Sequence, residues 1–195
     1  SLHLGGEADA RKRARTTIDA WWPEIENGCE AIVMTASGCG VTVKEYGQLL
    51  VDDKIYGKKA EAISAKVRDL SEVIYRERPK GLRKGSCRRV AFHSPCTLQH
   101  GQGIRGVVEE ILECYEWETT SVRDQHICCG SAGTYSILHP EIASQLRKAK
   151  LAALKEHSPE IIASANIGCL LHMQKASEVP VRHWIELLDP QNSRV

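Results

Sequence analysis

Two stretches of this chain read as copies of one pattern. Glu26-Asn27-Gly28-Cys29-Glu30-Ala31-Ile32-Val33-Met34-Thr35-Ala36-Ser37-Gly38-Cys39 and Glu156-His157-Ser158-Pro159-Glu160-Ile161-Ile162-Ala163-Ser164-Ala165-Asn166-Ile167-Gly168-Cys169 both run Glu, three residues, Glu, an apolar run, a small or polar stretch, then Gly-Cys. Each copy follows a basic, Ala-rich helical pattern. A repeat limits the possible folds strongly, because both copies must form the same local unit. An apolar run that ends in small residues reads as a buried strand feeding a tight turn. In the second copy Cys129 lies 40 residues before Cys169. The same spacing in the first copy falls just ahead of residue 1, and Ser1-Leu2-His3-Leu4 then matches Ser136-Ile137-Leu138-His139. The chain is therefore expected to start inside the first repeat, whose front half it lacks.

The remaining pattern alternates helices with short apolar strands. Ala10, Ala14, Ile18, Trp21 and Trp22 share one helical face, and helical patterns follow over 43–51 and 54–75. Val90-Ala91-Phe92 reads as a strand that runs into His93-Ser94-Pro95-Cys96. Ile104, Val107, Val108, Ile111 and Leu112 form an amphipathic helical stripe. A strand is expected over 117–122, and Ile142, Leu146, Ala149 and Ala153 mark the next helix. Strands at 161–165 and 179–183 are each followed by a helix. Strands separated by helices of this length predict an α/β fold with mainly parallel sheets flanked by helices. The predicted domains are 1–75, the rear part of the first repeat; 76–89, a basic Pro- and Gly-containing linker that could also dock an acidic partner; and 90–195, a complete second repeat.

Charge and hydropathy remove some function classes. Lys plus Arg is 26 against 25 Asp plus Glu, so no bulk positive field favours nucleic acid. No uncharged apolar run approaches the roughly 18 residues of a transmembrane segment. The chain opens without an initiator Met or a signal-peptide pattern, and so reads as processed or as a piece of something longer.

The eight cysteines carry the chemistry. In a long, helix-rich chain without a secretory signal they point to metal binding or redox work rather than to a disulfide framework. Cys96, the pair Cys128-Cys129, and Cys169 all fall at expected strand-to-helix junctions. Such junctions gather at the carboxyl ends of a parallel sheet, so these residues are expected to converge. Helix N-termini there favour the thiolate, the form that binds metal. Adjacent cysteines chelate one tetrahedral metal only under strain, whereas a multi-iron cluster offers them separate irons. An iron–sulfur cluster therefore explains Cys128-Cys129-Gly130 better than zinc does. Gly130 and Gly133 would supply permissive backbone whose N–H groups reach cluster sulfurs. His172, one helical turn after Cys169, is an auxiliary candidate, and Cys39 reads as a remnant ligand of the first copy. Cys29 and Cys114 read as packed small residues, and Cys87 as an exposed bystander. His93, His100 and His126 flank the cysteines, where hydrogen bonding competes with a supporting role at a metal. No Gly-rich phosphate loop, Ser-His-Asp signature or bacterial-ferredoxin cysteine run is present.

The spacing Cys96…Cys128-Cys129-Gly130…Cys169 resembles the cysteine-rich CCG domain of heterodisulfide reductase subunits and their relatives. Longer matches, among them Asp19-Ala20-Trp21-Trp22-Pro23, Thr35-Ala36-Ser37-Gly38-Cys39-Gly40, Cys96-Thr97-Leu98-Gln99-His100, Cys128-Cys129-Gly130-Ser131-Ala132-Gly133-Thr134-Tyr135 and Val181-Arg182-His183-Trp184-Ile185-Glu186, are similar to the iron–sulfur subunits of bacterial glycolate oxidase (glycolate dehydrogenase), in their C-terminal half. Two positions depart from the CCG pattern. His172 stands where its last Cys would be, and Thr42 holds that place in the first copy.

The resemblance implies an electron-transfer subunit carrying a [4Fe-4S]-type cluster. FAD would sit on partner flavin-containing glycolate oxidase subunits, where glycolate becomes glyoxylate, and electrons would pass toward a membrane quinone. The implied location is cytoplasmic, peripheral on the inner face of the bacterial inner membrane. The rival readings are a structural zinc domain, a subunit-docking scaffold, and the equivalent subunit of a lactate or glycerol-3-phosphate dehydrogenase.

Overall fold

A computed structural model describes residues 5–192. It divides into two compact units, one ending at Leu70 and the other beginning at Ser71. The expected match of residues 1–4 with 136–139 lies outside the described residues.

The first unit opens with α1, Glu7–Glu26, which buries Ala10, Ala14 and Ile18 at four-residue intervals. Glu7 and Asp9 lie in its first turn, where the helix dipole favours carboxylates, and each pairs with an Arg one turn on. Then come β1 (Ile32–Met34), α2 (Ser37–Lys44), α3 (Tyr46–Leu49), α4 (Gly57–Lys66) and β2 (Val67–Asp69). β1 and β2 pair in parallel, and the core gathers Ala14, Ile18, Val43, Tyr46, Leu50, Ala60, Ile63 and Val67.

Two expectations are corrected here. The helix expected over 54–75 is interrupted by β2, because Val67 is fully buried and its backbone completes a ladder with β1. Without that partner, the N–H and C=O groups of β1 on that side would have no strand to bond. The helix expected over 43–51 instead begins at Ser37 and ends at Lys44, with α3 after it.

The second unit contains most of α5 (Leu70–Glu77), then β3 (Arg89–His93), α6 (Val107–Cys114), β4 (Glu118–Thr120), α7 (Tyr135–Leu138), α8 (Pro140–Leu154), β5 (Ile161–Ser164), α9 (Ile167–Gln174) and β6 (Val181–His183). Its four strands are all parallel, in the order β4-β3-β5-β6. The architecture is α/β with parallel sheets flanked by helices, as the alternation predicts. All four residues of β5 are buried, which suits a strand with neighbours on both sides and helices on both faces.

Residues 78–88 run against this unit. The Arg83 guanidinium donates to the Asn192 carbonyl, Lys84 pairs with Glu116, Arg88 pairs with Glu160, and Gly85 leaves room for the Trp117 ring.

Three further details depart from the sequence reading. α8 is present, but its buried face carries Ala143, Lys150, Leu151, Ala153 and Leu154, while Ile142 and Ala149 are exposed. Cys114 is exposed at the end of α6, with its Sγ 2.8 Å from the Arg78 guanidinium. Cys29 is half-buried, and its thiol donates to the Ala31 carbonyl.

The two strand pairs share one register. β1 aligns Ile32 with Val67 and Val33 with Arg68, while β5 aligns Ile162 with Val181 and Ala163 with Arg182.

Candidate metal centre

The strand order makes a switch point between β3 and β5. From β3 the chain crosses to β4 on one side, and from β5 it crosses to β6 on the other. The loops leaving the carboxyl ends of β3 and β5 therefore part, and a crevice opens where open α/β sheets bind their ligands. His93 ends β3, Ser164 ends β5, and the two are partners in the ladder. Cys96 and Cys169 follow on the diverging loops.

Three segments present the thiols. Cys96 caps a short π-helical turn, Thr97–Gly101, whose first N–H groups bond back to the Pro95 carbonyl. Cys169 is the third residue of α9, whose start is fixed by Asn166 accepting from the Gly168 N–H at 2.9 Å. Cys128 and Cys129 sit on the loop before α7. Gln99 ties that loop to the Cys96 loop by donating to the carbonyls of both Ser94 and Gln125, at 2.8 and 2.9 Å. From beneath, the buried Lys150 ammonium donates to the Asp124 carbonyl at 2.6 Å.

The thiols influence one another's acidity in sequence, Cys96 with Cys128, Cys128 with Cys129, and Cys129 with Cys169, while the tight group of ligand atoms within 4.8 Å of one another holds Cys129 and Cys169 and leaves out Cys96 and Cys128. Their acidities split accordingly. Contacts from Cys129, then Cys96, and the Gly130 N–H at 3.3 Å from its Sγ hold the Cys128 thiol far below its ordinary value. Contact with Cys128 and then Cys169, followed by burial, pushes Cys129 up. Contact with Cys128, and then burial, raises Cys96 as well. Neighbouring sulfurs cannot all carry charge in a low-dielectric site unless a cation joins them. Cys129 is buried and the other three are half-buried.

Gly130 is required on two counts. Its φ is +91°, and a Cβ there would lie 2.4 Å from the Ala143 carbonyl oxygen. Gly133 also has a positive φ, +61°, but faces open space.

His93, for which the sequence leaves hydrogen bonding and a supporting role at a metal in competition, lies inside this site. It is 2% exposed, and its Nδ1 lies 3.0 Å from Ser164 Oγ. Its Nε2 is buried without a hydrogen-bond partner. Ligand atoms of His93, Cys129 and Cys169 lie within 4.8 Å of one another, and among the described residues this is the one such group of three or more metal-ligating side chains. Burial, followed by the Lys150 charge, pushes the imidazole down to about 3, so the ring is neutral.

His172 is half-buried on α9, and its Nε2 is 3.4 Å from the Ala143 carbonyl. Burial lowers its pKa below the ordinary value. His100 and His126 are exposed, with His100 Nε2 3.4 Å from the His126 carbonyl. Cys39, the third residue of α2, is exposed in the first unit, and Cys87 is also exposed.

Lys150 is a group that the sequence reading missed, although its spacing held a signal. It stands seven residues after Ala143, two helical turns on, among apolar neighbours. The donor set of thiols with an imidazole suits a soft or borderline metal such as iron or zinc, and disfavours calcium or magnesium.

An α/β domain with a cysteine cluster at the switch point of its parallel sheet is the class that this geometry defines. The model of the cysteine-rich domain family, CCG, matches residues 90–174. The chain is similar over 96% of its length to the glycolate oxidase iron–sulfur subunit of Escherichia coli (strain K12), at 49% identity over 187 residues that make up 46% of that protein. It is 30% identical over 179 residues to a Bacillus subtilis (strain 168) protein named "Probable glycolate oxidase iron-sulfur subunit", covering 40% of it. Lactate utilization protein A of Bacillus licheniformis is 23% identical over 196 residues, 97% of this chain and 80% of that one. The chain thus spans less than half the length of the two glycolate oxidase subunits it matches.

Proposed function

We propose that this chain is the electron-relay part of an iron–sulfur subunit serving a flavin-dependent oxidation of glycolate to glyoxylate. The observation that carries the reading is the placement of Cys96, Cys128, Cys129 and Cys169 on the loops at the β3–β5 switch point, with the sulfurs of Cys129 and Cys169 within 4.8 Å of each other and of a His93 ring nitrogen. The name of the Escherichia coli relative supports it.

The residues fit a cluster of [4Fe-4S] type. Neighbouring Cys128 and Cys129 could each take a separate iron, and the Gly130 N–H already points at a sulfur. A cluster bound there would take up and release one electron at a time. The chain's own part is to hold the thiolates, to supply positive charge through the Lys150 ammonium and the start of α9, and to exclude water by packing Cys129 and Cys169 on Leu151, Leu154, Ile162 and Met173.

In this proposal glycolate does not meet this chain. FAD and substrate belong to partner subunits, and the electrons continue toward a membrane quinone. No helix among the described residues is long and apolar enough to cross a membrane. In this proposal those partners hold the chain at the cytoplasmic face of the inner membrane. The relatives named lactate utilization protein A favour a neighbouring reading, the same relay serving lactate. We further propose that 1–75 and 90–195 are two copies of one unit joined by 76–89. The shared register of β1–β2 and β5–β6 supports this, as does the matching of Val67-Arg68 and Glu72 by Val181-Arg182 and Glu186.

The test is elemental and spectroscopic. Protein purified without oxygen should contain iron and acid-labile sulfide in similar amounts, show a charge-transfer absorbance, and give a paramagnetic centre on reduction. Cys129→Ser should lose all three. Stoichiometric zinc without sulfide would replace this reading with the structural-zinc one. Unchanged colour and stability after replacing all four cysteines would leave a docking scaffold.

A further inference from the structure

We propose that His93, rather than His172, is the histidine ligand of this centre, and that it coordinates through Nε2. The inference rests on the metal-cluster reading above and assigns it a ligand outside the cysteine motif.

Three independent features of His93 converge. The first is an unmet need. Nε2 is fully enclosed and has no hydrogen-bond partner, and a buried polar atom left this way destabilises the fold. Native folds rarely leave such an atom unsatisfied unless something absent from the bare polypeptide binds it. The second is aim. A ring nitrogen of His93 lies within 4.8 Å of the sulfurs of both Cys129 and Cys169, in a group of ligand atoms that includes no carboxylate.

The third is orientation by a second partner. Nδ1 faces Ser164 Oγ at 3.0 Å across the last rung of the β3–β5 ladder, and Ser164 is itself fully buried. Metal-binding histidines characteristically donate their other ring N–H to a fixed acceptor, which sets the tautomer and leaves the second nitrogen with a free lone pair. With Nδ1–H donated to Ser164, Nε2 is that nitrogen.

His172 lacks this combination. Its Nε2 is 3.4 Å from the Ala143 carbonyl, an acceptor that calls for an N–H and so occupies that nitrogen as a donor.

Pulsed paramagnetic resonance on anaerobically purified protein carrying 15N-histidine tests the assignment. The reduced cluster should show the strong hyperfine coupling of a directly bound histidine nitrogen. That coupling should survive His172→Gln and vanish in His93→Gln. Should His93→Gln fail to fold, the labelled wild type and His172→Gln still decide. Coupling present in the first and lost in the second overturns the proposal. A cluster with no histidine coupling, or with only the weak coupling of an N–H···S hydrogen bond, overturns the ligand assignment and leaves the cluster reading intact. Protein that holds no iron and sulfide at all overturns both.

Discussion

Gly130 and Ala143 meet so closely that a single added methyl group would put carbon 2.4 Å from the Ala143 carbonyl oxygen. The approach presses the Cys128-Cys129 loop against α8 and fixes where both thiols point. Gly130→Ala must therefore both adopt a left-handed backbone and force helix and loop apart. The expected cost is roughly 3 kcal/mol or more. Gly133→Ala meets only the backbone penalty, because nothing lies within 4 Å, and should cost about 1 kcal/mol. Denaturant unfolding of the two variants side by side checks the ordering. Equal effects would mean that the contact with Ala143 is unimportant.

Lys150 is the only charged residue of α8 that is buried, and it spends its ammonium on the carbonyls of Asp124 and Gln125. Lys150→Met keeps the aliphatic stem but leaves those acceptors unmet. It should destabilise the protein by about 2 kcal/mol. In cluster-loaded protein it should also shift the reduction potential to more negative values, because a positive charge near Cys96, Cys128 and Cys129 is lost. Redox titration of the variant against wild type reads the sign directly.

A pH effect follows from Glu109. Burial raises its carboxyl above the ordinary value of 4.5, and its Oε2 is enclosed without a partner. A raised carboxyl binds its proton more tightly in the folded than in the unfolded chain. Its favourable contribution is complete below pH 4.5 and declines as pH rises through the elevated folded value. Glu109→Gln should remove that decline and stabilise the protein at neutral pH by about 1 kcal/mol. The difference between variant and wild type should shrink in acid. A constant difference across pH 4 to 8 would show that Glu109 carries no titration penalty.

Much of the second unit was legible because its signals are local. An apolar run closing in Gly-Cys or Pro-Cys marks β3 and β5, and the alternation with helices is enough for a parallel sheet. The convergence of Cys96, Cys128, Cys129 and Cys169 follows from that topology. β2 was not legible, since Val67-Arg68-Asp69 sits between helical patterns and becomes a strand through a partner more than thirty residues away. Its likeness to Val181-Arg182-His183, which also forms the partner of a Gly-Cys strand, was the overlooked signal. The burial of Lys150 follows from the angle at which α8 packs, and that is a tertiary fact. The same holds for His93: an orphaned Nε2 and an Nδ1 facing Ser164 Oγ exist only once β3 and β5 are paired.

Loading the metal centre should tighten a defined set of backbone amides. A ligand that binds only the folded form stabilises whatever must be intact to hold it. Here that is the end of β3 with the Cys96 turn, the loop that Lys150 and Gln99 hold at Asp124 and Gln125, and the start of α9. Hydrogen exchange read by mass spectrometry should show slower exchange on cluster binding over 93–101, 124–134 and 164–172. The hydrophobic cluster of the first unit, built on Ile18, Leu50 and Ile63, includes none of these segments, and α1 and α4 should be unchanged. Removing the metal with a chelator under anaerobic conditions should reverse the pattern. Protection confined to 35–44, around Cys39, would instead place the centre in the first unit.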